Sequence, residues 1–304
     1  LIMTPEKQDP QTQLSRLISA WLIERRSRGL APGTIIYYQD EIHRFERWIV
    51  GRAVFAVENI TPNLIREYLL HLAETRNGGG VHASFRAVRG FLNWYEEEFE
   101  PDAWKNPILK VRPPKVNTQA RPGIAPAELR AILSTCTGEL AERDKTLLLF
   151  LFDTGLRAAE LCALNVGDAD LITGDVEVRH GKGDKHRTVH AGRKVLKLLR
   201  KYLKSREGLQ VDDPLFATDA DDRFSYGALK SRVYRLADQA KITRPGLHDF
   251  RRAFALECLR NGMDLMTLSK LLGHSNVSVT QRYLALNNTD LSRGHQVASP
   301  VDRM

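Results

Sequence analysis

Between Asn106 and Pro126 the chain reads NPILKVRPPKVNTQARPGIAP, five prolines in a stretch with little apolar periodicity. Each proline fixes φ and removes an amide donor, so this segment cannot extend a helix or join the middle of a sheet. It divides the chain into two folding units, with an extended linker over residues 114–126 and a boundary near Pro114. Two cores are also what surface-to-volume scaling favours at 304 residues.

Ahead of the linker the apolar spacing is helical. Leu14, Leu17, Ile18, Trp21 and Leu22 share one face, and Tyr38, Ile42, Phe45 and Ile49 repeat the pattern in a second helix that Thr34 is placed to cap. Thr61-Pro62 pairs an N-cap with proline at the first helical position, opening a third helix through Ala73. Gly78-Gly79-Gly80 reads as a break before a fourth, with Phe85, Val88, Leu92 and Tyr95 inward. Four such helices within residues 13–113 make an all-α unit, and the polar residues 1–12 read as a flexible N-terminus.

Beyond the linker, TLLLFLF at residues 146–152 is too short for a membrane span and reads as a buried helix. Alternation in Val176-Glu177-Val178 and Thr188-Val189-His190 predicts two short strands joined through GKGDK. Helical patterns then continue. The expected fold class is mainly α: a four-helix unit, then a mostly helical unit over 127–290 with one small antiparallel sheet. Residues 291–304 form a tail that could dock on a neighbouring protomer.

The formal charge of +8 and pI near 9.4 favour a polyanionic partner. Three cysteines, Cys136, Cys162 and Cys258, lie far apart with no CxxC spacing, which fits small buried side chains in a reducing compartment. No signal segment or long apolar run is present, so the expected location is cytoplasmic and nucleoid-associated, without a membrane partner.

Chemistry concentrates in four segments. In TGLRAAEL, residues 154–161, Arg157 and Glu160 lie three apart, so the carboxylate can fix a guanidinium whose fork grips phosphate oxygens. In GKGDKHR, residues 181–187, Lys182 stands between two glycines at a hairpin tip, with Lys185, His186 and Arg187 adding charge. His248 and Arg251 share a face near a helix start introduced by Pro245-Gly246. His274 follows Gly273 at the end of a helix that Asp264 caps, and Tyr283 comes nine residues later in a short helix that Ser278 is placed to cap. Singly, each has an ordinary reading as a surface ion pair, a solvated lysine or a helix-end histidine. Together they can hold a phosphodiester, protonate a departing alkoxide and supply a nucleophile. No paired carboxylates or His/Cys clusters with metal-ligand spacing stand out, so no cofactor is expected.

Further basic residues extend the surface. Lys194, Lys197, Lys201 and Lys204 recur at three and four residues as a helical stripe. A helix over 225–240 buries Leu229, Val233 and Leu236 and projects Lys230, Arg232 and Arg235 as a groove reader.

These motifs, TGLRxxEL, a GKGxK hairpin, HxxR and LLGHS with its spaced tyrosine, resemble those of the tyrosine recombinase/integrase family of site-specific DNA recombinases. The likeness runs over about residues 12–290 and is densest from Thr154 to Tyr283. It implies a SAM-like, four-helix core-binding domain followed by a catalytic domain. It makes Arg157, Lys182, His248, Arg251 and His274 the activating residues, Tyr283 the nucleophile and Glu160 a supporting acid. It also implies double-stranded DNA with specific sites as partner, four protomers (identical, or shared with a related recombinase) and a Holliday junction. Arg252 stands where many members carry a second histidine. Two other readings are a type IB topoisomerase and a catalytically silent DNA-binding accessory protein.

Overall fold

The computed structural model describes residues 12–116, 123–179 and 186–273, with a few single positions beyond. The chain forms two compact units, dividing between Thr118 and Gln119, inside the segment read as linker. The fold is mainly α-helical with one two-stranded antiparallel sheet. No described helix is long and apolar enough to cross a membrane.

The first unit holds α1 (Gln13–Ser27), α2 (Pro32–Val50), α3 (Pro62–Ala73) and α4 (Gly78–Phe99). Their apolar faces meet in one core, in which Trp21 packs edge-on against Phe91 with ring centroids 5.7 Å apart. Thr61 caps α3 through its side chain, as its sequence predicts. Two helix starts differ from expectation. Thr34 does not cap α2, because Pro32, whose fixed φ suits a first turn, begins the helix two residues earlier. The glycines at 78–80 are the first turn of α4 and not a break before it: Asn77 Oδ1 accepts the Gly80 amide at 2.9 Å and starts the helix there.

The second unit is built around α6 (Ala141–Thr154), whose Leu147, Leu148, Phe150 and Leu151 are all buried. Around it lie α5 (Pro126–Thr135), α7 (Ala158–Ala163), α8 (Arg193–Lys204), α9 (Tyr226–Gln239), α10 (Leu247–Arg260) and α11 (Leu265–Leu272). Strands β1 (Asp175–Val178) and β2 (Arg187–His190) pair with Val176 opposite Val189, and both valines face the core. Period-two alternation explains this: Glu177 and Thr188 are left to solvent. Asp264 caps α11 as its sequence predicts, while Ser225, read as the first residue of its helix, is the N-cap of α9. Cys136 is buried, while Cys162 and Cys258 are only half-buried, and burial pushes all three thiols up to about 11.

Candidate active site

Two left-handed glycines shape the site. Helix α6 stops at Gly155, φ +62°, where an added Cβ would lie 2.2 Å from Cδ1 of Phe254 on α10. Only glycine fits there, on grounds of both torsion and space. Helix α11 stops the same way at Gly273, φ +66°, where an added Cβ would come 2.9 Å from Cδ of Arg187.

After Gly155 the chain turns at once into α7, with Arg157 as its N-cap residue and Glu160 at the third helical position. The Glu160 carboxylate accepts the Arg157 backbone amide at 2.8 Å and Arg157 Nη1 at 2.7 Å. It is no surface ion pair: the Glu160 side chain is 4% exposed, against 29% for Arg157. Arg187, on β2, closes the other side with Nη1 and Nη2 on the two carboxylate oxygens at 2.9 and 2.7 Å. Burial would raise the Glu160 carboxyl, but the Arg187 fork and the Arg157 donors outweigh it and bring it down to about 2. Glu160 is thus a fixed anion shared by two guanidiniums.

Arg251 on α10 is fully buried. Its Nη1 donates to the Gly155 carbonyl at 2.8 Å and its Nη2 to the Leu272 carbonyl at 2.5 Å. His248 and Arg251 are neighbours three apart on α10, as read from the sequence, but stand at different depths. Three residues along a helix rotate by about 300°, leaving the two side chains about 60° apart. That separation puts His248 at the exposed rim and Arg251 inside. Desolvation, then the charges of Arg252, Arg251 and Arg157, lower the His248 pKa, with Asp249 opposing. The neutral imidazole is therefore favoured, and it lies within the field of Arg157 and Arg251. Arg252 itself is tied to Asp249 at 2.7 Å.

Lys182, Lys185, His274, Ser278 and Tyr283 lie outside the described residues, as do Leu291 and Val297 of the tail. Among the described candidates, Arg157, Glu160, His248 and Arg251 come together. Arg187 joins them, although its sequence position at the hairpin was read as a DNA contact; its side chain is 11% exposed and spent on Glu160. Arg232 is corrected too: Nε bonds Asp144 at 2.9 Å, beside the buried Arg143, so it does not project from α9. Lys230 and Arg235 do project, as do Lys194, Lys197 and Lys204 on α8, while Lys201 reaches Glu142. In the first unit the sequence reading assigned no contact residue. A cleft of about 430 Å³ there is lined by Arg44, Arg47, Trp48 and His71, and the signal for it was the basic pair three apart on α2. Among the described residues no cluster of His, Cys, Asp and Glu is arranged to hold a metal.

Against known proteins, residues 123–290 match the phage integrase family. The chain is 30% identical to tyrosine recombinase XerC of Proteus mirabilis, over 96% of this chain and 95% of that one. It is likewise 30% identical to tyrosine recombinase XerA of Thermococcus onnurineus, over 90% and 92%. Among solved structures, the Tn1549 transposon integrase with transposon right end DNA aligns at TM-score 0.73 and 18% identity, covering 93% of this chain and 99% of that one. XerH bound to palindromic difH aligns at TM-score 0.71 and 20% identity, covering 95% and 85%. These two alignments show a shared fold.

Proposed function

Since the chain belongs to the phage integrase family, the tyrosine recombinases, we propose that it is a site-specific DNA recombinase that cuts and rejoins duplex DNA through Tyr283. The observation that carries this is Arg157, held at the rim by a buried carboxylate, beside a neutral His248 and above the buried Arg251.

The chemistry follows from charge. Attack on a phosphodiester adds negative charge to the nonbridging oxygens. Three guanidiniums (Arg157, Arg187, Arg251) against one carboxylate (Glu160) leave the pocket with two net positive charges before that happens. Such preorganised charge stabilises the transition state without reorganisation cost, and each donor is worth on the order of 10²–10³ in rate. His274 adds a further donor. A tyrosine hydroxyl, with a pKa of about 10, needs a proton acceptor as it attacks, and a neutral His248 suits that role. Lys182 protonates the departing 5′-oxygen. The product is a 3′-phosphotyrosyl protein and a free 5′-hydroxyl. Bond energy is kept in the linkage, so rejoining to a second strand needs neither ATP nor a metal ion.

Exposed Lys194, Lys197, Lys204, Lys230 and Arg235 in the second unit, with Arg44 and Arg47 in the first, supply contacts to DNA phosphates. Recombination takes place in a tetramer on two sites, through a Holliday junction, in the cytoplasm at the nucleoid. The tail beyond Tyr283 contributes to assembly.

The test is covalent trapping on a nicked suicide duplex. The protein is expected to form a DNA adduct that Tyr283→Phe abolishes. A persistent adduct in that variant removes Tyr283 from its role. Exchange between two sites, as opposed to relaxation of supercoils alone, separates a recombinase from a type IB topoisomerase.

A further inference from the structure

Arg187 does more than neutralise Glu160. Its two terminal nitrogens hold that carboxylate bidentately, and its Nε donates to the Leu271 carbonyl at 3.2 Å. Its stem passes under Gly273, close enough that a side chain there would collide with Cδ. Three segments of the chain thus meet on one nearly buried side chain. The first is α7, where Glu160 holds Arg157. The second is β2, which Arg187 opens. The third is the end of α11, one residue before His274.

A lysine could not replace these contacts. Its three donors all sit on one nitrogen, whereas the planar guanidinium reaches both carboxylate oxygens and the carbonyl from three separate nitrogens in fixed directions. A solvated cation at a hairpin edge would have no need of such geometry.

We propose that Arg187 is a positioning residue for the cleavage step, locking α7, which bears Arg157, to the start of β2 and the end of α11, the elements that adjoin Lys182 and His274 in the sequence. This rests on the recombinase reading above. The side chain touches no substrate; it sets where the groups that do so stand. A displacement of about 1 Å in such groups is enough to cost around 10²-fold in rate.

The experiment compares the full chain with Arg187→Gln and Arg187→Lys, measuring single-turnover cleavage on the nicked duplex, DNA affinity as a function of salt, and thermal unfolding. Cleavage should fall about 10²-fold in Arg187→Gln and about tenfold in Arg187→Lys, with affinity within about twofold of the parent and the salt slope unchanged. A direct phosphate contact would instead weaken binding and lower the slope by about one, leaving cleavage at saturation intact, and that result would overturn the proposal. A purely structural role makes the defect vanish when the assay is cooled to where the variant is fully folded; a defect that persists there supports positioning. If Arg187→Gln does not fold, Arg187→Lys carries the same comparison. The double variant Glu160→Gln/Arg187→Gln should be no slower than the slower single one, and multiplied losses would separate the two side chains. If the unaltered protein forms no adduct, the recombinase reading fails. If it does and Arg187→Gln matches it, this inference alone fails.

Discussion

Each unit of the molecule buries one glutamate against arginine, and the two are used differently. In the first unit, Glu41 on α2 receives both terminal nitrogens of Arg76 at 2.7 and 2.8 Å and also accepts the Ser84 hydroxyl. Burial works against its ionisation, and the Arg76 and Ser84 hydrogen bonds outweigh that to hold the carboxyl below its usual range. Arg76 keeps 25% of its side chain exposed and lines the cleft with Arg44 and Arg47, so the difference from the second unit lies in the number of arginines on the acid. In the second unit Glu160 is shared, and one of its two arginines keeps 29% of its side chain exposed. A buried acid with one fork fastens helices; a buried acid with two forks can fasten one guanidinium and present the other. The same interaction becomes a piece of a reaction site by gaining a second partner.

The contrast can be broken by experiment. Removing one member of a buried ion pair typically costs about 3–5 kcal/mol, because the other charge is stranded. Arg76 is a quarter exposed and keeps Ser84, so Glu41→Gln is expected to destabilise the first unit by less, about 1–3 kcal/mol, while leaving cleavage per folded molecule unchanged. All four tryptophans, Trp21, Trp48, Trp94 and Trp104, lie in the first unit, so urea unfolding followed by tryptophan fluorescence reads that unit directly. Loss of cleavage in the folded Glu41→Gln protein would erase the distinction. Glu160→Gln should do the reverse: cleavage falls on the order of 10²-fold, equivalent to about 2.7 kcal/mol, with the tryptophan transition unmoved.

A smaller effect concerns pH. Because desolvation and neighbouring arginines depress the His248 pKa, its neutral form persists below the ordinary histidine range. Cleavage should hold steady from pH 8 to about 6.5 and decline only as pH falls further, through the depressed value. His248→Asn should flatten that decline; if the same acid limb survives, another group sets it. Smallest of all is Lys201→Ala. Its exposed ion pair with Glu142 is worth less than about 1 kcal/mol, so stability should barely move. If Lys201 meets phosphate instead, the salt slope of DNA binding drops by about one.

Much of this was legible in the sequence. The proline-rich division, helix caps at Thr61 and Asp264, and the hairpin strands follow from local rules of spacing and torsion. The pairing of Arg157 with Glu160 was readable as well, since three residues on a helix start are neighbours in any fold. What was not legible is which acid a long side chain finds across the chain. Arg187 meets Glu160 from 27 residues away and Arg232 meets Asp144 from 88. Both were read as outward charges, since spacing reports the face of a helix or strand but not what packs over it. Arg251 shows the same limit: its position on α10 was clear, but its burial depends on Gly155 and Leu272 arriving from other elements.

The last two carbonyls of α11 have an unusual fate. Leu271 accepts from Arg187 and Leu272 from Arg251, so two arginines terminate that helix in place of water. During synthesis on the ribosome, β2 emerges well before α11 does, and α10 directly ahead of it. Until Leu272 has cleared the exit tunnel, both guanidiniums lack one of their acceptors, and the pocket cannot take its final shape.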